Sequence, residues 1–144
     1  MVDSSDPPGR HRTLSVVEDL LEKAGQAVAS AYLLADASDA DGACNRSYYA
    51  MFQAAKAALI ATGYAPDSFK THSFVIATFS KSFVLTGQIS KEIGRSLSEV
   101  EKIRAIADYA AAPVPLDRAS WAATQADLFL GAVKALPIFA PDNR

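Results

Sequence analysis

At 144 residues the chain is long enough for one hydrophobic core and too short for two. Half of its residues are apolar, 21% are charged and the formal net charge is −2, so there is no overall positive field to hold nucleic acid non-specifically. A single cysteine, Cys44, excludes an intrachain disulfide, and without a Cys/His cluster neither a structural zinc site nor any other metal is expected.

No stretch of about 18 uncharged apolar residues is present, so no membrane span is expected. Residues 1–12 (Asp, Ser, Pro and Gly, then Arg10-His11-Arg12) read as a flexible N-terminal tail without the apolar core of a signal peptide. A cytoplasmic protein is the expectation.

From Leu14 to about Ala37 the apolar residues Leu14, Val17, Leu21, Ala24, Val28 and Ala31 recur at steps of three and four, which predicts a one-faced helix. Ser15 with Glu18 has the form of a capping box near its start. The turn-rich Ser38-Asp39-Ala40-Asp41-Gly42 separates it from a second helix, about Ala43 to Thr62, with Gly63 placed to end it. On that helix Cys44, Tyr48, Met51, Ala55, Leu59 and Thr62 form one stripe, and Arg46, Tyr49, Gln53 and Lys56 a polar flank. Its many alanines combine high helix propensity with room for close approach, as suits the central helix of a bundle.

Thr71 can cap a third helix carrying Phe74, Val75, Ile76, Phe79 and Phe83, closed by Gly87. Ser90 can cap a fourth, to about Ala112, with the stripe Ile93, Leu97, Val100, Ile103 and Ala107. Pro113 and Pro115 break it. Asp117 can cap a fifth, with Trp121, Leu128, Phe129, Val133 and Leu136 facing inward, ended by Pro137. No strand-like alternation and no internal repeat occurs. The expectation is an all-α antiparallel bundle of four to five helices forming a single domain over residues 13–138, followed by a C-terminal tail, 139–144.

Three polar islands interrupt these packing segments: Asn45-Arg46-Ser47-Tyr48-Tyr49, Lys70-Thr71-His72, and Arg104 with Asp108-Tyr109. Together they suggest one shared polar site. Arg46 lies near the positive end of the second helix dipole, an unfavourable place for a cation, so it either pairs with Asp39 or Asp41 or serves a ligand. Tyr48 and Tyr49 point roughly 100° apart. Tyr48 belongs to the core stripe. Tyr49 shares the flank with Arg46, where a phenol can pack at the surface, bind phosphate or stack on a base.

His72 falls in the first turn of the third helix, where the dipole favours neutral imidazole. It can act as a general base beside Lys70 and an anion-binding helix start, or simply bond a loop carbonyl. Arg104 and Asp108 lie four apart on one face, either as a local pair or engaged with a ligand. No H-E-x-x-H, P-loop, G-x-G-x-x-G or G-x-S-x-G pattern is present.

The residues Asn45-Arg46-x-Tyr48-Tyr49-Ala50-x-Phe52-x-Ala54-Ala55, then Lys70-Thr71-His72, then Arg104-x-x-Ala107-Asp108-Tyr109 resemble the HEPN superfamily (higher eukaryotes and prokaryotes nucleotide-binding), in its small stand-alone prokaryotic branch. The resemblance implies a four- or five-helix bundle that often dimerises. It also implies a metal-independent, cofactor-free ribonuclease of a toxin–antitoxin-like or defence module, often paired with a nucleotidyltransferase. On that reading His72, Arg104 and Asp108 are the catalytic candidates, and Asn45, Arg46, Tyr49, Lys70 and Tyr109 contact RNA or nucleotide. The chain departs from the pattern at one point. Such nucleases place a histidine four to six residues after an arginine, whereas Arg104 is followed by Asp108 and Tyr109, and the histidines are His11 and His72. Two other readings therefore stand beside the nuclease. One is a non-catalytic module that binds a nucleotide or a nucleotidyltransferase partner. The other is a structural homodimer, marked by an Arg46–Asp108 ion pair sealed within one subunit.

Overall fold

The computed structural model describes residues 10–110 and 112–140. Among these it forms five helices and no strand: α1 (Arg10–Asp36), α2 (Ala40–Ala61), α3 (His72–Phe79), α4 (Lys91–Tyr109) and α5 (Leu116–Lys134). A π-helical turn, Ser80–Val84, extends α3, and a 3-10 turn, Pro137–Phe139, follows α5. None of these helices is long and apolar enough to cross a membrane.

Everything packs on α2, which touches α1, α3, α4 and α5. Ala43, Ala50, Ala54, Ala55, Ala57 and Ala58 are completely buried along it. A methyl group at each of these positions keeps the helix thin enough for neighbours on several sides. The larger side chains that close the core come from around it: Phe79, Phe83, Phe129, Leu97, Val100 and Val133. Phe79 sits 5.1 Å, centroid to centroid, from both Phe83 and Phe129, tilted against each, an arrangement favourable to aromatic quadrupoles.

Local chemistry sets the helix starts. Asp39 caps α2 by accepting from Gly42 N at 2.9 Å; a Cβ on Gly42 would collide with that carboxylate. Thr71 caps α3 through Phe74 N, and Ser90 caps α4 through Ile93 N. Gly63 ends α2 with φ of 119°, in the left-handed region where a side chain is strained.

Several expectations are corrected. The first helix starts at Arg10, within the segment read as a tail, so Ser15 and Glu18 lie inside it and form no capping box. Helix α2 starts at Ala40 because Asp39, within the expected turn, is its cap. Asp117 does not cap α5: Pro115 holds that position, and Asp117 accepts from the adjacent Arg118 N instead. Trp121 and Leu128 are 37% and 54% exposed, because α5 buries the small-residue stripe Ala119, Ala122, Ala123 and Ala126 together with Phe129 and Val133. Leu14 and Phe74 are likewise exposed. Gln53, expected on a polar flank, is buried, since α2 is covered on several sides. Phe139, assigned to the C-terminal tail, packs against the core. Residues 1–9 and 141–144 of the two expected tails lie outside the described residues.

Phe79 is the joint between α3, its π turn and α5. Phe79→Ala is expected to lower the unfolding free energy by about 3–5 kcal/mol, measured by urea denaturation followed by circular dichroism.

Candidate functional site

The three polar islands meet around a residue that the sequence assigns to the core. Tyr48 on α2 is 3% exposed, and its hydroxyl lies 3.0 Å from His72 Nδ1 at the start of α3. The Arg104 guanidinium of α4 sits over the same phenol ring, 4.7 Å from its centroid. Phe52, one turn along α2, packs against the His72 ring at 4.3 Å and stacks with Tyr48 at 6.0 Å. Three helices thus contribute to one cluster, with Tyr48 touching both the imidazole and the guanidinium.

Arg104 is held from its own helix. Its Nη1 donates to Asp108 Oδ2 at 2.8 Å, and Nη2 lies 3.8 Å from Glu101 Oε1. Its Nε is buried and has no hydrogen-bond partner among the described residues. The cation is oriented, yet one of its donors is unused. Two carboxylates face Arg104, and the Lys56 ammonium lies 5.6 Å from the Phe52 ring centroid. A phosphate entering here would have to compete with Asp108 for the guanidinium.

His72 is exposed apart from its contacts with Tyr48 and Phe52. The expected bond to a loop carbonyl is not formed; the partner is the phenol. Arg46 pairs with neither Asp39 nor Asp41. Asp39 caps α2, and Asp41 accepts from Val114 N at 2.9 Å, pinning the connector before α5. The Arg46 guanidinium instead lies over Tyr49, 4.4 Å from its centroid, on the neighbouring face of α2. Asn45, Lys70 and Tyr109 are exposed and make no hydrogen bond or ion pair with other described residues; Tyr109 is 90% exposed. An Arg46–Asp108 pair does not form, because Asp108 is taken by Arg104.

Two members of the cluster escaped the sequence reading. Tyr48 stands in the first polar island, yet the sequence reading places it in the core stripe and not among the site residues, although a hydroxyl on a buried helix face requires a partner. Glu101 precedes Arg104 by three residues, the favourable order for an intrahelical pair, and that spacing was the available signal. Cys44 is fully buried, and its thiol is pushed up to about 11 by burial and by Asp41. It is no nucleophile near neutrality.

The all-α bundle agrees with the comparisons to known proteins. A profile of the HEPN domain matches residues 17–136. Over 95 residues the chain is 38% identical to a UPF0332 protein of Gloeobacter violaceus, covering 66% of this chain and 73% of that one. A protein of Methanocaldococcus jannaschii named as a candidate toxin is 30% identical over 119 residues, covering 82% and 79%. A second candidate toxin of the same organism is 30% identical over 118 residues, covering 82% and 86%. The chain belongs to the HEPN domain family.

Burial, reinforced by the Glu101 carboxylate, pushes the Tyr48 phenol up from 10.0 to about 12, with Arg104 pulling partly back. Between those values the unfolded chain has released this proton while the folded chain keeps it. The contribution is therefore intact below pH 10 and is lost as pH rises towards 12, by about 2–3 kcal/mol. Tyr48→Phe is expected to remove this part of the alkaline loss, read as a smaller difference between urea unfolding curves on the two sides of that window.

Proposed function

We propose that this HEPN protein is the toxin-like component of a prokaryotic toxin–antitoxin or defence module, acting in the cytoplasm as a metal-independent endoribonuclease. The observation that carries this reading is the convergence of His72 and Arg104 on Tyr48, with the imidazole left accessible. Cleavage by an attacking 2′-hydroxyl needs a cation for the charge developing on phosphorus oxygens and groups that handle protons. Arg104 supplies the charge. His72 and Asp108 divide the remaining work, contacting phosphate and taking the proton of the 2′-hydroxyl. Arg46 over Tyr49 offers a stacking cation on the neighbouring face, and Asn45, Lys70 and Tyr109 are free side chains for the same strand.

The names of the two Methanocaldococcus jannaschii relatives support the toxin reading. The exposed apolar side chains Ile106 and Leu116 lie at the Arg104 end of α4 and the start of α5, beside Tyr109. A second copy of the chain docking there would cover them and bring two sites together.

One observation favours the alternative, a non-catalytic module that binds a nucleotide or a nucleotidyltransferase partner. Asp108 stands where an active nuclease of this kind has histidine, and it already neutralises Arg104. Cleavage of a labelled RNA pool in the presence of EDTA separates the readings. The wild type is expected to cut, and His72→Ala and Arg104→Ala are each expected to lose about a hundredfold or more. An inactive wild type of native helicity would move the weight to the binding module.

A further inference from the structure

The hydrogen bond between Tyr48 and His72 has only one arrangement that leaves no buried polar group stranded. The phenol is 3% exposed, and His72 Nδ1 is its sole hydrogen-bond partner among the described residues. If Nδ1 carried the proton and donated it, the phenolic hydrogen would point at no acceptor in a buried site. Leaving such a donor unmade costs about 1–3 kcal/mol. If the phenol donates instead, both atoms are satisfied by one bond. The neutral imidazole then carries its proton on Nε2.

We propose that Tyr48 is a positioning residue that donates to His72 Nδ1 and thereby fixes the neutral ring with Nε2–H as its free, outward atom, so that His72 serves the site as a hydrogen-bond donor to an anionic phosphate oxygen and not as the proton acceptor. The rest of the cluster is built to hold this geometry. Phe52 packs against the imidazole ring at 4.3 Å, and Thr71 fixes the first turn of α3 that carries it. Arg104 lies on the Tyr48 ring, so the same phenol sets the place of the second donor. The phenol is a reliable donor because it stays protonated far above neutrality, near 12. Proton acceptance then falls to a carboxylate on α4. Asp108 is placed for it: Oδ2 is bound to Arg104, and among the described residues no hydrogen bond occupies Oδ1.

The phosphate-donor role rests on the nuclease reading, whereas the ring tautomer does not. The test is a nitrogen-15 spectrum of the imidazoles in protein labelled at histidine. With only His11 and His72 in the chain, a His11→Gln variant assigns the signals. The expected result is a protonated Nε2 and an unprotonated, hydrogen-bonded Nδ1 on His72. In Tyr48→Phe, with native circular dichroism, Nδ1 is expected to move to the position of an unbonded pyridine-type nitrogen. RNA cleavage by Tyr48→Phe is expected to fall about tenfold in kcat at unchanged KM. A wild-type His72 protonated at Nδ1, or a ring spectrum indifferent to Tyr48→Phe, overturns the proposal. The expected spectrum in a protein that cuts no RNA upholds the tautomer and sinks the nuclease reading alone.

Discussion

The structure depends on how completely α2 is enclosed. A helix packed by four others cannot keep solvated side chains on its inner faces. Here those faces are mostly alanines with Met51, Leu59 and Ile60, leaving Cys44, Ser47, Tyr48 and Gln53 as the buried side chains with a thiol, hydroxyl or amide. Under that constraint a polar atom left on a covered face has only the bundle to supply its partner. Tyr48 is the case that matters. Its ring fills core space, and its hydroxyl reaches the one point where α3 begins. The bond to His72 is thus a consequence of burial, and so is the raised phenol.

That constraint also explains how residues so far apart in the chain come to one place. Thr71 caps α3 and Ser90 caps α4, so each helix starts at a defined point against α2. His72 is the first residue of α3 and follows its cap directly. Arg104 borders the buried stripe Leu97, Val100 and Ile103, with its head aimed along the groove towards α2. The ion pair with Asp108 and the approach of Glu101 then hold the guanidinium over the phenol ring. The cluster combines a buried, hydrogen-bonded phenol with an exposed imidazole.

The chain belongs to the HEPN domain family, and its polar cluster lies where α2, α3 and α4 meet. The departure is local. Asp108 occupies the position expected of a histidine, and an imidazole comes instead from another helix, through Tyr48. Arg46 over Tyr49 stays outside the cluster because the step of one residue along a helix turns a side chain by about 100°.

Much of the fold was legible in the chain itself. The three-and-four spacing of apolar residues located all five helices, and Thr71, Ser90 and Gly63 marked their ends correctly, because capping and left-handed termination are decided within a few residues. Periodicity failed where a stripe was read by hydrophobicity alone. Trp121 and Leu128 were placed inside and lie exposed, since close packing on α2 rewards the alanine face of α5. The site was legible as three polar islands, and His72 and Arg104 were named from them. The role of Tyr48 was not, because a tyrosine in an apolar stripe looks the same whether its hydroxyl meets solvent, a carbonyl or an imidazole. Local composition and spacing determined the helices and the inventory of polar groups. Which of those groups share one bond was decided only by the tertiary packing, which sets distances between residues far apart in the chain.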